Sequence, residues 1–157
     1  MELSRLGAAS LSFAEQFERI GPAPDAIMLH HPLKGGSVEG PGLRGRLLPR
    51  GGEWSTIRAD GLVAVDARCI LEAPDDQLVF INYVGTCDIG EDGYDALLDG
   101  EPLDYAWLDI TLQFHSSAHE YRWLNRVLCF GTGKRDYARF TLDFSVCTVP
   151  HEPQRRG

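Results

Sequence analysis

Positive charge is scarce in this chain of 157 residues: 15 Lys and Arg stand against 23 Asp and Glu, a formal net charge of −8. An acidic surface repels phosphate, so neither nucleic acid nor an anionic membrane is an expected partner. No apolar run approaches the roughly 18 residues that a membrane span needs. Residues 1–13 mix Glu2 and Arg5 with serines where a secretion signal would carry its apolar core. A cytoplasmic protein is expected. Cysteine is also sparse: Cys69, Cys87, Cys129 and Cys147 lie far apart, with no C-x-x-C pair. In that compartment they are expected as reduced thiols in or near the core, not as a disulfide framework. The chain has no P-loop, dinucleotide fingerprint or nucleophile elbow. No cofactor is expected.

Glycine and proline are plentiful, 17 and 9 residues. So many turn formers favour short strands over long helices. The clearest strand covers residues 62–71, where Val63, Val65, Ala67, Cys69 and Leu71 alternate with Ala64, Asp66, Arg68 and Ile70. Pro74-Asp75-Asp76 reads as a turn, and residues 78–84 as the returning strand. Further strands are expected over 107–115, 126–130 and 140–149, with Gly131-Thr132-Gly133-Lys134 as the last turn. Residues 3–13, 26–31 and 43–48 are weaker strand candidates, and 13–20 and 94–98 could each form a short helical turn. One domain is expected over 1–149, followed by a flexible polar tail over 150–157. Seven to nine short strands, about that many by turn spacing, fit either a barrel or a sandwich.

Three blocks in order narrow that choice. The first is Gly35-Gly36-Ser37-Val38-Glu39-Gly40-Pro41-Gly42-Leu43-Arg44-Gly45, continuing through Gly51-Gly52-Glu53-Trp54 and Asp60-Gly61. The second is Val65-Asp66-Ala67-Arg68, and the third Tyr121-Arg122-Trp123-Leu124-Asn125-Arg126 with Gly131-Thr132-Gly133. Together they resemble domain-of-unknown-function family 3237, also called uncharacterised protein family 0311. The resemblance implies an all-β fold: a single closed or nearly closed antiparallel barrel of about eight strands, lipocalin-like or allene-oxide-cyclase-like, with little helix. It also implies a homodimer and an interior cavity. The chain departs from the family at Cys69, where an aromatic residue is more usual.

Within such a barrel, the expected ligand is a small molecule. The expected activity is a cofactor-independent isomerase, cyclase or lyase acting on an aromatic or polyketide-like substrate. A non-catalytic carrier with the same cavity is the alternative. Asp66 and Arg68 share one face of a strand, roughly 7 Å apart. There Arg68 could hold a carboxylate or enolate oxygen while Asp66 acts as base, or both could simply face solvent. Asp109, Thr111, Gln113 and His115 form a polar stripe, which is either an ordinary outer face or the wall of a wet pocket. Asp66, Arg68, His115 and Tyr121 are the catalytic candidates. Trp54, Tyr83, Gln113, Trp123, Asn125 and His31 are the expected substrate contacts, because aromatics with a polar tip can wall a pocket and orient a flat ligand. His115-x-x-x-His119 has a zinc-like spacing, but its intervening serines suggest a loop; no metal is expected.

Overall fold

The computed structural model describes residues 2–150; the expected tail from 151 onward lies outside the described residues. Ten strands follow one another: β1 (Ser4–Phe13), β2 (Glu18–Ile20), β3 (Ala26–Glu39), β4 (Gly45–Leu47), β5 (Gly52–Arg58), β6 (Leu62–Glu72), β7 (Leu78–Asp88), β8 (Tyr105–His115), β9 (Cys129–Asp136) and β10 (Thr141–Thr148). A short helix, α1 (Gly93–Leu98), joins β7 to β8, and a 3-10 helix (His119–Arg126) joins β8 to β9.

All pairings are antiparallel. The order runs β1-β10-β9-β8-β7-β6, then through β4 and β5 to β3, which pairs back onto β1 and closes the ring. β4 and β5 lie end to end between β3 and β6, and together they fill one strand position. The result is a closed barrel of eight strand positions, with β4 sharing the position of β5 and β2 added alongside β3. Closure leaves no long unpaired edge.

Strand alternation decides what fills the barrel. Along β6, Val63, Val65, Ala67, Cys69 and Leu71 are buried while Ala64, Asp66 and Arg68 are exposed. β7 and β8 follow the same rule, with Ile81, Tyr83 and Cys87 paired with Phe114, Leu112 and Leu108 inside. In one half of the lumen, Leu11, Leu43, Leu47, Ile81, Phe114 and Phe144 pack so closely that a void of only about 10 Å³ remains, at most the space of one water. The 3-10 helix closes that end with buried Tyr121 and Leu124.

Three local expectations are corrected. Residues 13–20 are not helical: β1 runs to Phe13 and β2 begins at Glu18. Gly131-Thr132-Gly133-Lys134 lies inside β9, where Gly133 sits against Asp143 and Phe144 of β10 with no room for a side chain. The turn comes later, at residues 137–140. Residues 126–128 precede β9 and do not begin it. Glycines packed inside a strand give the same composition signal as a turn. No helix among the described residues is long and apolar enough to cross a membrane.

Candidate functional site

Polar chemistry concentrates in the other half of the lumen. Glu53, on β5, and Arg135, on β9, are both fully buried, and Arg135 Nε donates to Glu53 Oε1 at 3.2 Å. Tyr83 donates its hydroxyl proton to Glu53 Oε2 at 2.6 Å, and Ser55 donates to Oε1 at 3.4 Å. The carboxylate thus has three donors. Arg135 Nη1 donates to the backbone carbonyls of Thr141 (3.2 Å) and Asp136 (3.4 Å). Its guanidinium lies over the rings of Phe13 and Tyr137, 4.2 and 4.8 Å from their centroids. Paired and stacked in this way, the cation is held rigidly.

Next to this network a cavity of about 500 Å³ opens at the barrel end under α1. Phe17, Leu29, Leu97, Leu103 and Phe140 supply its apolar walls, while His31 and Tyr137 bring polar atoms. Arg19 and Glu101, both exposed, also border it. His31 is 2% exposed. It stacks on Phe17 at 4.6 Å and meets the edge of Phe13 at 6.2 Å. Phe140 holds a left-handed backbone (φ 56°) in the turn after β9, and its carbonyl accepts from Phe13 N–H at 2.8 Å. Non-glycine residues adopt that conformation rarely and at a cost of about 1–2 kcal/mol.

Two buried polar atoms here have no protein hydrogen-bond partner, His31 Nδ1 and Arg135 Nη2, and the Tyr137 hydroxyl has only the Cys87 thiol beside it. Leaving a buried donor or acceptor unpaired costs about 1–3 kcal/mol. Burial, the Arg135 guanidinium and His30 together pull the His31 pKa down to about 3, so its imidazole is neutral at pH 7. Burial, reinforced by nearby Cys87 and Glu53, holds the Tyr137 phenol well above its ordinary range. Tyr83 is raised in the same direction by burial and then by Glu53. The Cys87 and Cys69 thiols are each pushed up to about 12 by burial.

Of the residues picked from sequence, only His31 and Tyr83 belong to this region. Asp66 and Arg68 face outward because the apolar set of β6 takes the lumen, which corrects the cavity placement. Asp66 Oδ1 accepts from Asn82 Nδ2 at 3.0 Å and makes no ion pair with Arg68. His115 and Gln113 are exposed on the outer face of β8 for the same reason. Trp54, 40% exposed, stacks on His30 at 4.3 Å on the outer surface. Tyr121, Trp123 and Asn125 lie on the 3-10 helix that closes the other end of the barrel. There Asn125 pairs with both backbone groups of Ser116 at 2.8 Å. Tyr121 and Trp123 border a shallow cleft there with Arg44 and Glu120. None of these reaches the Arg135 network.

Glu53, Arg135 and Tyr137 were not picked out from the sequence. Inward positions of β5 read Glu53-Ser55-Ile57 and those of β9 read Gly131-Gly133-Arg135, so hydrophobic alternation is silent there. A signal that would have found Glu53 and Arg135 is a charged residue in phase with the buried positions of its strand; Tyr137, in the turn after β9, carries no such signal.

Known proteins share this architecture. A UPF0311 protein of Rhodopseudomonas palustris is 29% identical over 114 residues, spanning 71% of this chain and 74% of its own. The crystal structure of a beta-barrel like protein from Acinetobacter baumannii matches with a TM-score of 0.80 at 25% identity, covering 95% of this chain and 96% of that one. An enzyme from Penicillium herquei matches with a TM-score of 0.68 at 22% identity over 93% of each chain, a likeness of fold alone. The model of the family described as "Protein of unknown function (DUF3237)" matches residues 3–147, and with this closed barrel behind that match, the chain belongs to that family.

Proposed function

We propose that this barrel binds a small, largely apolar molecule in the cavity beside His31 and Tyr137. There it promotes an isomerisation, cyclisation or elimination without a redox cofactor. One observation carries the reading: a mostly apolar cavity of about 500 Å³ that counts His31 and Tyr137 among its lining residues. Ligand pockets have this composition, apolar walls with a few polar groups that fix orientation. The volume and the ring-rich wall of Phe17, His31 and Phe140 suit a flat, aromatic or polyketide-like compound. Holding a flexible reactant in one reactive conformer is itself a source of rate. With Asp66, Arg68 and His115 on the outer surface, the polar part of the work passes to His31 and Tyr137.

The carrier reading has an observation of its own. A general acid or base works best with a pKa near the operating pH, whereas His31 is lowered to about 3 and Tyr137 is raised. A group poised in neither direction binds better than it shuttles protons.

The test is a thermal-shift and calorimetric screen of aromatic acids, phenols and enolisable ketones, followed by chromatography of the recovered ligand. Binding that is lost when Leu29→Trp fills the cavity, together with a changed ligand, is the expected result. An unchanged ligand selects the carrier. Binding indifferent to Leu29→Trp overturns the proposal.

A further inference from the structure

We propose that residues 91–103 are a lid on the cavity under α1, lifting as one piece to admit a ligand and closing upon it. The inference rests on the cavity reading above. β7 and β8 are paired from Phe80 with His115 to Asp88 with Trp107, and about 2–5 residues would be enough to join such a hairpin. The chain instead inserts residues 89–104, α1 among them. Leu97 and Leu103 of this insertion line the cavity, beside Gly100, Glu101 and Pro102. Leu98 and the carboxylates of Glu91, Asp92, Asp95 and Asp99 stand in solvent. An apolar underside with a charged top covers a pocket without belonging to the core.

The hydrogen bonds show that the segment is fastened only to itself. Gly93 N–H donates to the Gly90 carbonyl at 3.0 Å, Ala96 N–H to that of Asp92 at 2.9 Å and Asp99 N–H to that of Asp95 at 3.0 Å. α1 ends in a Schellman motif, where Gly100 (φ +79°) donates to the Leu97 carbonyl at 3.2 Å and Glu101 to that of Ala96 at 2.9 Å. The helix end therefore needs no partner from the barrel. Backbone bonds to the barrel come at the two ends: Ile89 N–H to the Gly61 carbonyl at 3.1 Å, and Tyr137 N–H to the Asp104 carbonyl at 2.7 Å. Among the described residues, no side-chain hydrogen bond or ion pair ties residues 91–103 to a strand. Gly90, at φ +87° with nothing within 4 Å of where a Cβ would lie, is an unobstructed pivot at one end. Only apolar contacts of half-buried Tyr94, Leu97 and Leu103 hold the segment down. A unit so fastened opens at far lower cost than the strands beneath it.

The experiment is native-state hydrogen exchange on the full-length protein, with and without N-phenyl-1-naphthylamine. This fluorescent apolar probe is uncharged, as suits a segment with five carboxylates and no Lys or Arg. In the free protein the amides of Ala96, Asp99, Gly100 and Glu101 are expected to exchange together, on the order of 100-fold faster than those of β6 and β7. Bound probe is expected to slow them about tenfold and to leave the strands unchanged. A second protein, with Gly-Ser-Gly in place of residues 91–103, is expected to bind the probe and release it about tenfold faster in stopped flow. Exchange at these amides as slow as in β6 overturns the lid, and that result needs no shortened chain. Probe binding that Leu29→Trp abolishes, but that leaves exchange at these amides unmoved, overturns the lid and keeps the cavity reading. No probe binding, or binding indifferent to Leu29→Trp, overturns both.

Discussion

Arg135 Nε and Glu53 Oε1 meet at 3.2 Å inside the barrel, with both side chains wholly shielded from solvent. Removing either partner strands a buried charge, a loss of about 3–5 kcal/mol in such pairs. Glu53→Gln is therefore expected to lower the urea midpoint steeply, and Arg135→Met to do the same. The double variant Glu53→Leu/Arg135→Met is expected to recover most of the loss, because no lone charge then remains. Additive losses in the double variant would show that the two side chains do not act as a pair.

His31 makes stability depend on pH. Its folded pKa, about 3, lies below the ordinary 6.5. Between those values the unfolded chain holds the extra proton, so stability rises with pH. It is fully present above about 6.5 and drains away as pH falls towards about 3, at up to about 1.4 kcal/mol per unit. Urea unfolding from pH 7 to pH 4 is expected to show this slope. His31→Asn is expected to flatten it. An unchanged slope in the variant would assign acid sensitivity to other groups.

The thiols should divide by burial. Cys69 and Cys87 are buried with pKa values near 12, Cys129 is buried with its pKa also raised, and Cys147 is half-buried. A thiolate, not a thiol, attacks a disulfide reagent. Ellman's reagent on the native protein is expected to modify Cys147 first and to reach the other three only on unfolding. Rapid native modification of Cys87 would contradict the closed lumen beside Tyr137.

Gly51 turns the chain between β4 and β5 with φ +80°, and a Cβ there would lie 2.1 Å from the Arg68 carbonyl oxygen. Both the dihedral and the clash oppose any side chain. Gly51→Ala is expected to cost about 1–3 kcal/mol or more and to lower the melting temperature by several degrees. In contrast, Asp66→Asn on the outer face is expected to stay within about 0.5 kcal/mol of the parent and to bind cavity ligands unchanged. A variant at Asp66 that lost ligand binding would return that residue to the site.

Much of the barrel was legible along the chain. Residues 62–71 and 107–115 alternate so regularly that their buried and exposed faces can be read residue by residue, because a closed sheet has one dry side. The hairpin at Pro74-Asp75-Asp76 was equally plain, since turn residues there interrupt two apolar strands. What failed was the choice of face for chemistry. Asp66 with Arg68 and the stripe ending in His115 look like a site because they gather polar groups at strand spacing, yet solvent is the cheapest place for a charge. Strand periodicity and turn chemistry, being local, were determined by the sequence itself. Ring closure and the meeting of Glu53 from β5 with Arg135 from β9, 82 positions apart, were decided by tertiary structure alone. A buried ion pair exists only where the fold brings both charges together, and no local pattern encodes that encounter.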